Sequence, residues 1–179
     1  MTVAAVVLLA VLAVAGLAAT LAGERLRSRL PAVGLLLLLG GAALLAWRAG
    51  RPADGLADTG RLLAVAAAAL AGGPVTTTVL RLADPAREPR RAVAPRQLGP
   101  GDPEVLRGGA WIGVLERTAL AATLLAGWPE GLAVLIAVKG LGRFNELKVA
   151  VAAERFIIGT LASGLWAVAC VGVALLLRS

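Results

Sequence analysis

Histidine and tyrosine are absent from this chain, cysteine and methionine occur once each, and aromatic residues make up only 3% of its 179 positions. Without histidine there is no imidazole base, no Ser-His pair and no imidazole metal ligand. The single cysteine, Cys170, lies in an apolar run, which excludes an internal disulfide and leaves no thiolate cluster. Nor is there a Walker-type lysine loop, a Gly-rich dinucleotide turn after a strand, or a basic surface interleaved with aromatics. No metal and no cofactor are expected, and nucleic acid is not an expected partner. Lysine is scarce as well: two of the 18 basic residues are Lys and the rest Arg.

What fills the chain instead is Ala, Leu and Val. Hydrophobic residues amount to 59%, with a mean hydropathy of +0.84 and 22 glycines besides. A soluble domain has about 45–50% apolar residues even when glycine is counted. Small and aliphatic side chains suit helices packed closely in lipid. The expected fold is all-α, a polytopic membrane helix bundle.

A hydrocarbon core of roughly 30 Å takes about 20 apolar residues in helix. Six segments approach this: 2–22, 31–47, 62–82, 109–127, 131–144 and 156–177. The first has no positive charge before it and Arg25, Arg27 and Arg29 after it, so it reads as an uncleaved span rather than a signal peptide. Pro31 marks a helix start and Trp47 an interface. The third segment is interrupted by Gly72-Gly73-Pro74, which reads as a kink or helix end with Thr76, Thr77 and Thr78 bonding back to the backbone.

Basic residues fall between these segments with a strong bias. An outside N-terminus puts 13 of them on the cytoplasmic connections or their edges and four on the opposite side, with Arg117 left in the membrane. That asymmetry is the positive-inside pattern and orients the chain with both termini outside; the Arg-over-Lys and Ala-rich bias points separately to a GC-rich bacterial genome, hence to a bacterial inner membrane. The connection "DPAREPRRAVAPRQLGPGDPEVLRGG" is rich in Pro and Arg and has no periodicity. It reads as a cytoplasmic linker, 83–108, between a three-helix half, 1–82, and a second three-helix half, 109–179. Its arginines are expected to touch anionic lipid headgroups, at roughly 1 kcal/mol each.

The stretch "GAWIGVLERTALAATLLAG", 109–127, is apolar apart from Glu116 and Arg117. Adjacent helical residues point about 100° apart, so these two cannot pair with each other and must seek different neighbours. Candidates follow in "VKGLGRFNELKVAVAAERF". Lys139, Arg143 and Glu146 share one face if the fifth helix continues that far, and Glu154 and Arg155 open the sixth. Glu116 is expected against Lys139 or Arg143, and Arg117 against Glu146 or Glu154. The cluster carries more positive than negative charge, which suits a phosphate or carboxylate. The expected ligand-binding residues are Arg117, Lys139 and Arg143, oriented by Glu116, Glu146 and Glu154.

Three stretches here, "RGGAWIGVLER", "AVKGLGRFNELK" and "ERFIIGTLASGLWA", resemble an uncharacterised family of bacterial, especially actinobacterial, polytopic inner-membrane proteins. The resemblance covers about residues 107–170. It implies membrane location and assigns no role to Glu116, Lys139, Arg143 or Glu154.

Three other features are weaker. Gly159, Ser163 and Ala167 recur every four residues, as do Gly109 and Gly113; such stripes serve packing within the chain or a homodimer face. Asp54 and Asp58 are flanked by Arg51 and Arg61 and read as a solvated loop. Glu116-Arg117 and Trp128 recur as Glu154-Arg155 and Trp166, an echo read as coincidence.

The function expected from the cluster is binding of a small anionic solute or lipid headgroup at the cytoplasmic side, with its translocation as an extension of that binding. The alternative is a non-catalytic scaffold or accessory subunit with internally paired charges. A lipid-modifying enzyme with a glutamate base ranks third.

Overall fold

The computed structural model describes residues 1–22, 29–49, 54–83, 103–144, 146–148 and 150–177. Among these there are six α-helices, one short 3-10 turn and no strand. The helices are α1 (Thr2–Ala22), α2 (Leu30–Arg48), α3 (Asp54–Ala83), α4 (Pro103–Leu125), α5 (Glu130–Gly142) and α6 (Ala150–Leu176); the turn, Glu146–Lys148, precedes α6. Four of them, α1, α2, α3 and α6, are long and apolar enough to cross a membrane. The arginine-rich connections at 23–28 and 84–102 lie outside the described residues.

The helices are apolar on both faces. In α1, Leu9 and Leu12 are fully buried while Val3, Val14 and Leu21 are well exposed. A helix apolar all round belongs in a large core or in lipid, and a bundle this small offers no large core.

At the centre stands α3, which packs against α1, α2, α4 and α6. Its composition explains the position. Ala64, Ala67, Ala68 and Ala71 are all fully buried, and side chains this small let four neighbours approach one axis. Close contacts give the directions. Val6 of α1 lies by Gly60 and Gly16 by Ala71, so α1 and α3 are parallel. Leu177 lies by Gly60, and Leu80 by Gly159, so α6 runs antiparallel to α3. Arg117 reaches Ser163 and Leu120 lies by Gly164, so α4 and α6 are parallel. One continuous core takes residues from both sides of the 84–102 connection.

The small-residue stripe of α6 is used inside the chain: Gly159 faces Leu80, and Ser163 and Ala167 are buried. The Glu-Arg echo is not repeated in the environment. Trp166 is buried and Trp128 exposed, and Arg155 is more exposed than Arg117.

Several expectations about elements need correction: Asp54 and Asp58, read as a loop, lie in the first turns of α3, and residues 103–108, read as linker, already belong to α4. Gly72-Gly73-Pro74 does not end or divide a helix, because α3 continues through Pro74 to Ala83. The back-bonding expected of its threonines is seen at Thr77, which donates to the Gly73 carbonyl (3.1 Å), and at Thr78, which donates to that of Pro74 (2.9 Å). The fifth segment also differs. α5 has 13 residues and rises only about 20 Å, short of a full crossing. Gly140 and Gly142 in its last turn are poor helix formers, and Arg143 caps it. Lys139, Arg143 and Glu146 therefore do not share a helical face, since Glu146 begins the separate 3-10 turn.

α4 ends in a Schellman turn. Gly127 takes the left-handed conformation (φ 71°), Trp128 donates to the Thr123 carbonyl at 2.9 Å and Gly127 to that of Leu124 at 3.1 Å. Pro129 follows and caps α5. Because α4 and α6 are parallel, the chain must return between them, and α5 runs back along α4, from Gly131 beside Thr123 to Lys139 beside Glu116.

Candidate functional site

Glu116 and Arg117 do turn to different neighbours. Glu116 forms an ion pair with Lys139 that joins α4 to α5, with both side chains about three-quarters buried. The Lys139 ammonium also lies 5.9 Å from the ring centre of Phe156 on α6, close enough for a cation–π attraction. One lysine thus holds α5 against two helices.

Arg117 goes elsewhere than expected. Glu154 does not receive it, and the expected alternative, the Glu146 side chain, lies outside the described residues. Its side chain, 6% exposed, crosses to α3, where Nε and Nη2 both donate to the Ala69 carbonyl at 3.1 and 2.8 Å. Nη1 donates to Ser163 Oγ of α6 at 3.4 Å. Glycines make the room. A Cβ on Gly72 would stand 2.4 Å from Arg117 Cδ and 2.6 Å from its Nε; one on Gly113 would stand 3.1 Å from Nη1. The Gly-Gly pair that reads as a helix break is in fact the slot for a guanidinium.

Pro74 explains why one carbonyl of α3 attracts a donor here. Proline has no N–H for the carbonyl four residues back and its ring crowds that carbonyl, which belongs to Leu70. In an apolar interior each freed carbonyl needs another donor. The Thr20 hydroxyl lies 3.2 Å from Leu70 O while bonding its own Gly16 carbonyl at 2.8 Å. Trp166 Nε1 donates to Ala67 O at 3.3 Å. With Arg117 on Ala69, donors from α1, α4 and α6 meet three carbonyls within four residues of α3, on the turn leading into the proline.

The other expected residues stand apart from this point. Arg143 caps α5 and is exposed, Glu154 is exposed on α6, and the Glu146 side chain lies outside the described residues. Lys148 is also exposed, over the Phe144 ring at 5.4 Å. Arg117, Lys139 and Arg143 therefore do not converge on one point. Thr20, Ser163, Trp166 and the Ala69 carbonyl are the participants that sequence reasoning did not assign. The one legible signal was Pro74, which always releases a carbonyl.

Away from this cluster, Arg61 pairs with Asp58 one turn earlier on α3, with Asp58 well exposed. Among the described residues no group of three His, Cys, Asp or Glu could hold a metal ion. An exposed pair of this kind contributes little, so Asp58→Ala should change stability by less than about 0.5 kcal/mol, as thermal unfolding in detergent would read.

The structure thus defines an all-helical protein with four helices of membrane-crossing length and composition, knit by buried polar contacts around a proline turn. No family model, curated protein or solved structure matches the chain.

Proposed function

We propose that the chain is a non-catalytic membrane subunit, a scaffold or accessory bundle whose charges bind its own helices together. The reading takes the bundle as six passes of a bacterial cytoplasmic membrane, N-terminus outside, with α5 and residues 143–149 as the incomplete fifth. One observation carries it: Glu116 and Arg117, adjacent in sequence, tie α4 to α5 on one side and to α3 and α6 on the other. Charges spent on internal partners are what a scaffold needs, whereas a transporter or enzyme would present them to solute.

A charge exchange tests it. Glu116→Lys alone and Lys139→Glu alone each leave two like charges facing in a largely buried contact, at a cost of about 1.5–3 kcal/mol. The double exchange should restore most of the thermal stability and of the folded yield. If the double variant is no better than the singles, the pair is not there to hold helices.

A second reading, binding or moving an anionic solute or lipid headgroup at the cytoplasmic side, has its own support. Arg143 and Lys148 are exposed beyond the end of α5, and α5 is too short to keep headgroups away from them. Native mass spectrometry of the membrane-extracted protein tests this. A retained phospholipid or anionic solute lost in Arg143→Ala would favour the second reading; equal, weak retention in both would leave the scaffold.

A further inference from the structure

We infer that the bundle interior holds a small monovalent anion of the halide class against Arg117. The inference goes beyond the scaffold reading and concerns a place separate from the exposed Arg143 and Lys148. It starts from charge. Glu116, Arg117 and Lys139 carry two positive charges and one negative, and the carboxylate is engaged by Lys139. Among the described residues no ion pair reaches Arg117, although only 6% of it is exposed. Its partners are a backbone carbonyl and a serine hydroxyl. These solvate a cation but do not neutralise it, and a buried charge without a counter-charge is strongly unfavourable.

Donor count gives the second, independent reason. A guanidinium has five N–H donors. Nε and one hydrogen of Nη2 converge on Ala69 O, and Nη1 uses one hydrogen on Ser163 at the long distance of 3.4 Å. Two N–H groups are left over. Since Nε and Nη2 share one edge of the planar group, the second Nη2 hydrogen lies on the outer fork. Two glycines border that fork: a Cβ on Gly113 would lie 3.7 Å from Nη2, and one on Gly73 3.9 Å. No side chain is present at either position to cover it.

Further donors lie within one turn on the same two helices. Ser163 accepts from Arg117 and keeps its own proton to give. The Thr76 and Thr160 hydroxyls are inaccessible and have no hydrogen-bond partner among the described residues. Thr160 is one turn from Ser163 on α6, beside Gly159, which faces Leu80; Thr76 is one turn from Gly72 and one from Leu80 on α3. Spare donors and a net positive charge call for an acceptor of one negative charge. A divalent anion would exceed the charge to be neutralised, since Lys139 already has its carboxylate.

The test compares the detergent-purified protein in sodium chloride and in sodium gluconate at equal ionic strength, gluconate being a monovalent anion too large for the interior. The unfolding temperature should rise saturably with chloride, bromide should substitute, and Arg117→Gln should abolish the dependence. Equal unfolding temperatures in the two salts would overturn the inference, as would an unchanged chloride dependence in Arg117→Gln. Should Arg117→Gln fail to fold, Ser163→Ala keeps the charge and removes one neutral donor. Its chloride midpoint should then move up by about three- to tenfold, and an unmoved midpoint counts against the site.

Discussion

Gly16→Ala is expected to be among the most damaging single-methyl additions this chain can receive. A Cβ at Gly16 would stand 2.3 Å from the Cβ of Ala71, 2.4 Å from its Cα and 2.7 Å from its amide nitrogen. None of these atoms can rotate away, because they belong to the α3 backbone or are fixed to it. α1 and α3 must move apart, and the separation spreads along a contact that runs from Val6 to Thr20. Overpacking costs typically 1–3 kcal/mol when side chains can adjust. Here about 3 kcal/mol or more is expected, since the Thr20 hydroxyl would also withdraw from Leu70 O, worth about 1 kcal/mol. Val14→Ala is the control on the same helix, a position 68% exposed whose truncation opens no cavity. Thermal unfolding in one detergent should show a large loss for Gly16→Ala and a small one for Val14→Ala. Similar losses would mean that the crossing is looser than its geometry implies.

The second large effect belongs to Gly72, and it should depend on Arg117. A Cβ at Gly72 would meet Arg117 Cδ and Nε inside 2.7 Å and Trp166 Cδ1 at 2.9 Å. The first two atoms lie in the stem of the side chain, so the guanidinium cannot keep its bonds to Ala69 O and also avoid the methyl. Gly72→Ala should cost about 2–3 kcal/mol, from strain and from a buried cation losing its acceptors. Arg117→Met should cost less, because replacing a buried charge by an apolar chain of similar length removes its desolvation penalty along with its bonds. In the Arg117→Met background no guanidinium bonds pin the stem, so its δ atom can swing away from the Gly72 methyl, and the double variant should be about 1–2 kcal/mol better than the sum of the singles. Strict additivity would separate Gly72 from Arg117 and return the glycine pair to a role in the α3 backbone alone.

Much of the architecture could be read from composition and spacing. Runs of Ala, Leu and Val of near-bilayer length announce apolar helices; Pro31 and the charged interruptions mark where several begin and end. Two adjacent charges on one helix had to look to different neighbours, because about 100° separates their side chains, and Glu116 and Arg117 do. Lys139 was a candidate for Glu116 because it is the nearest basic residue on the next apolar segment.

Other features were not legible, for identifiable reasons. The α5 boundary depended on Gly140 and Gly142 outweighing an apolar pattern that could have continued through Arg143 to Glu146. Gly72-Gly73-Pro74 has two opposite structural meanings, a break in a helix or a slot in a continuous one, and the letters are the same for both. Ion-pair chemistry points Arg117 to carboxylates, because only side chains are distinguished by the letters of a sequence. Its actual partner, the Ala69 carbonyl, is a group every residue carries.

The sequence by itself therefore determined that this chain is a set of apolar helices, where its basic residues concentrate, and that Glu116 and Arg117 must part. These follow from transfer energies and helical geometry, which act residue by residue. Only the tertiary structure decided that α3 is the central helix and that Arg117 belongs to it. That choice rests on where a glycine of one helix meets a side chain of another, Gly16 at Ala71 and Gly72 at Arg117, and on Pro74 releasing the Leu70 carbonyl to Thr20. Coincidence in space between segments far apart in the chain is carried by no single stretch of residues.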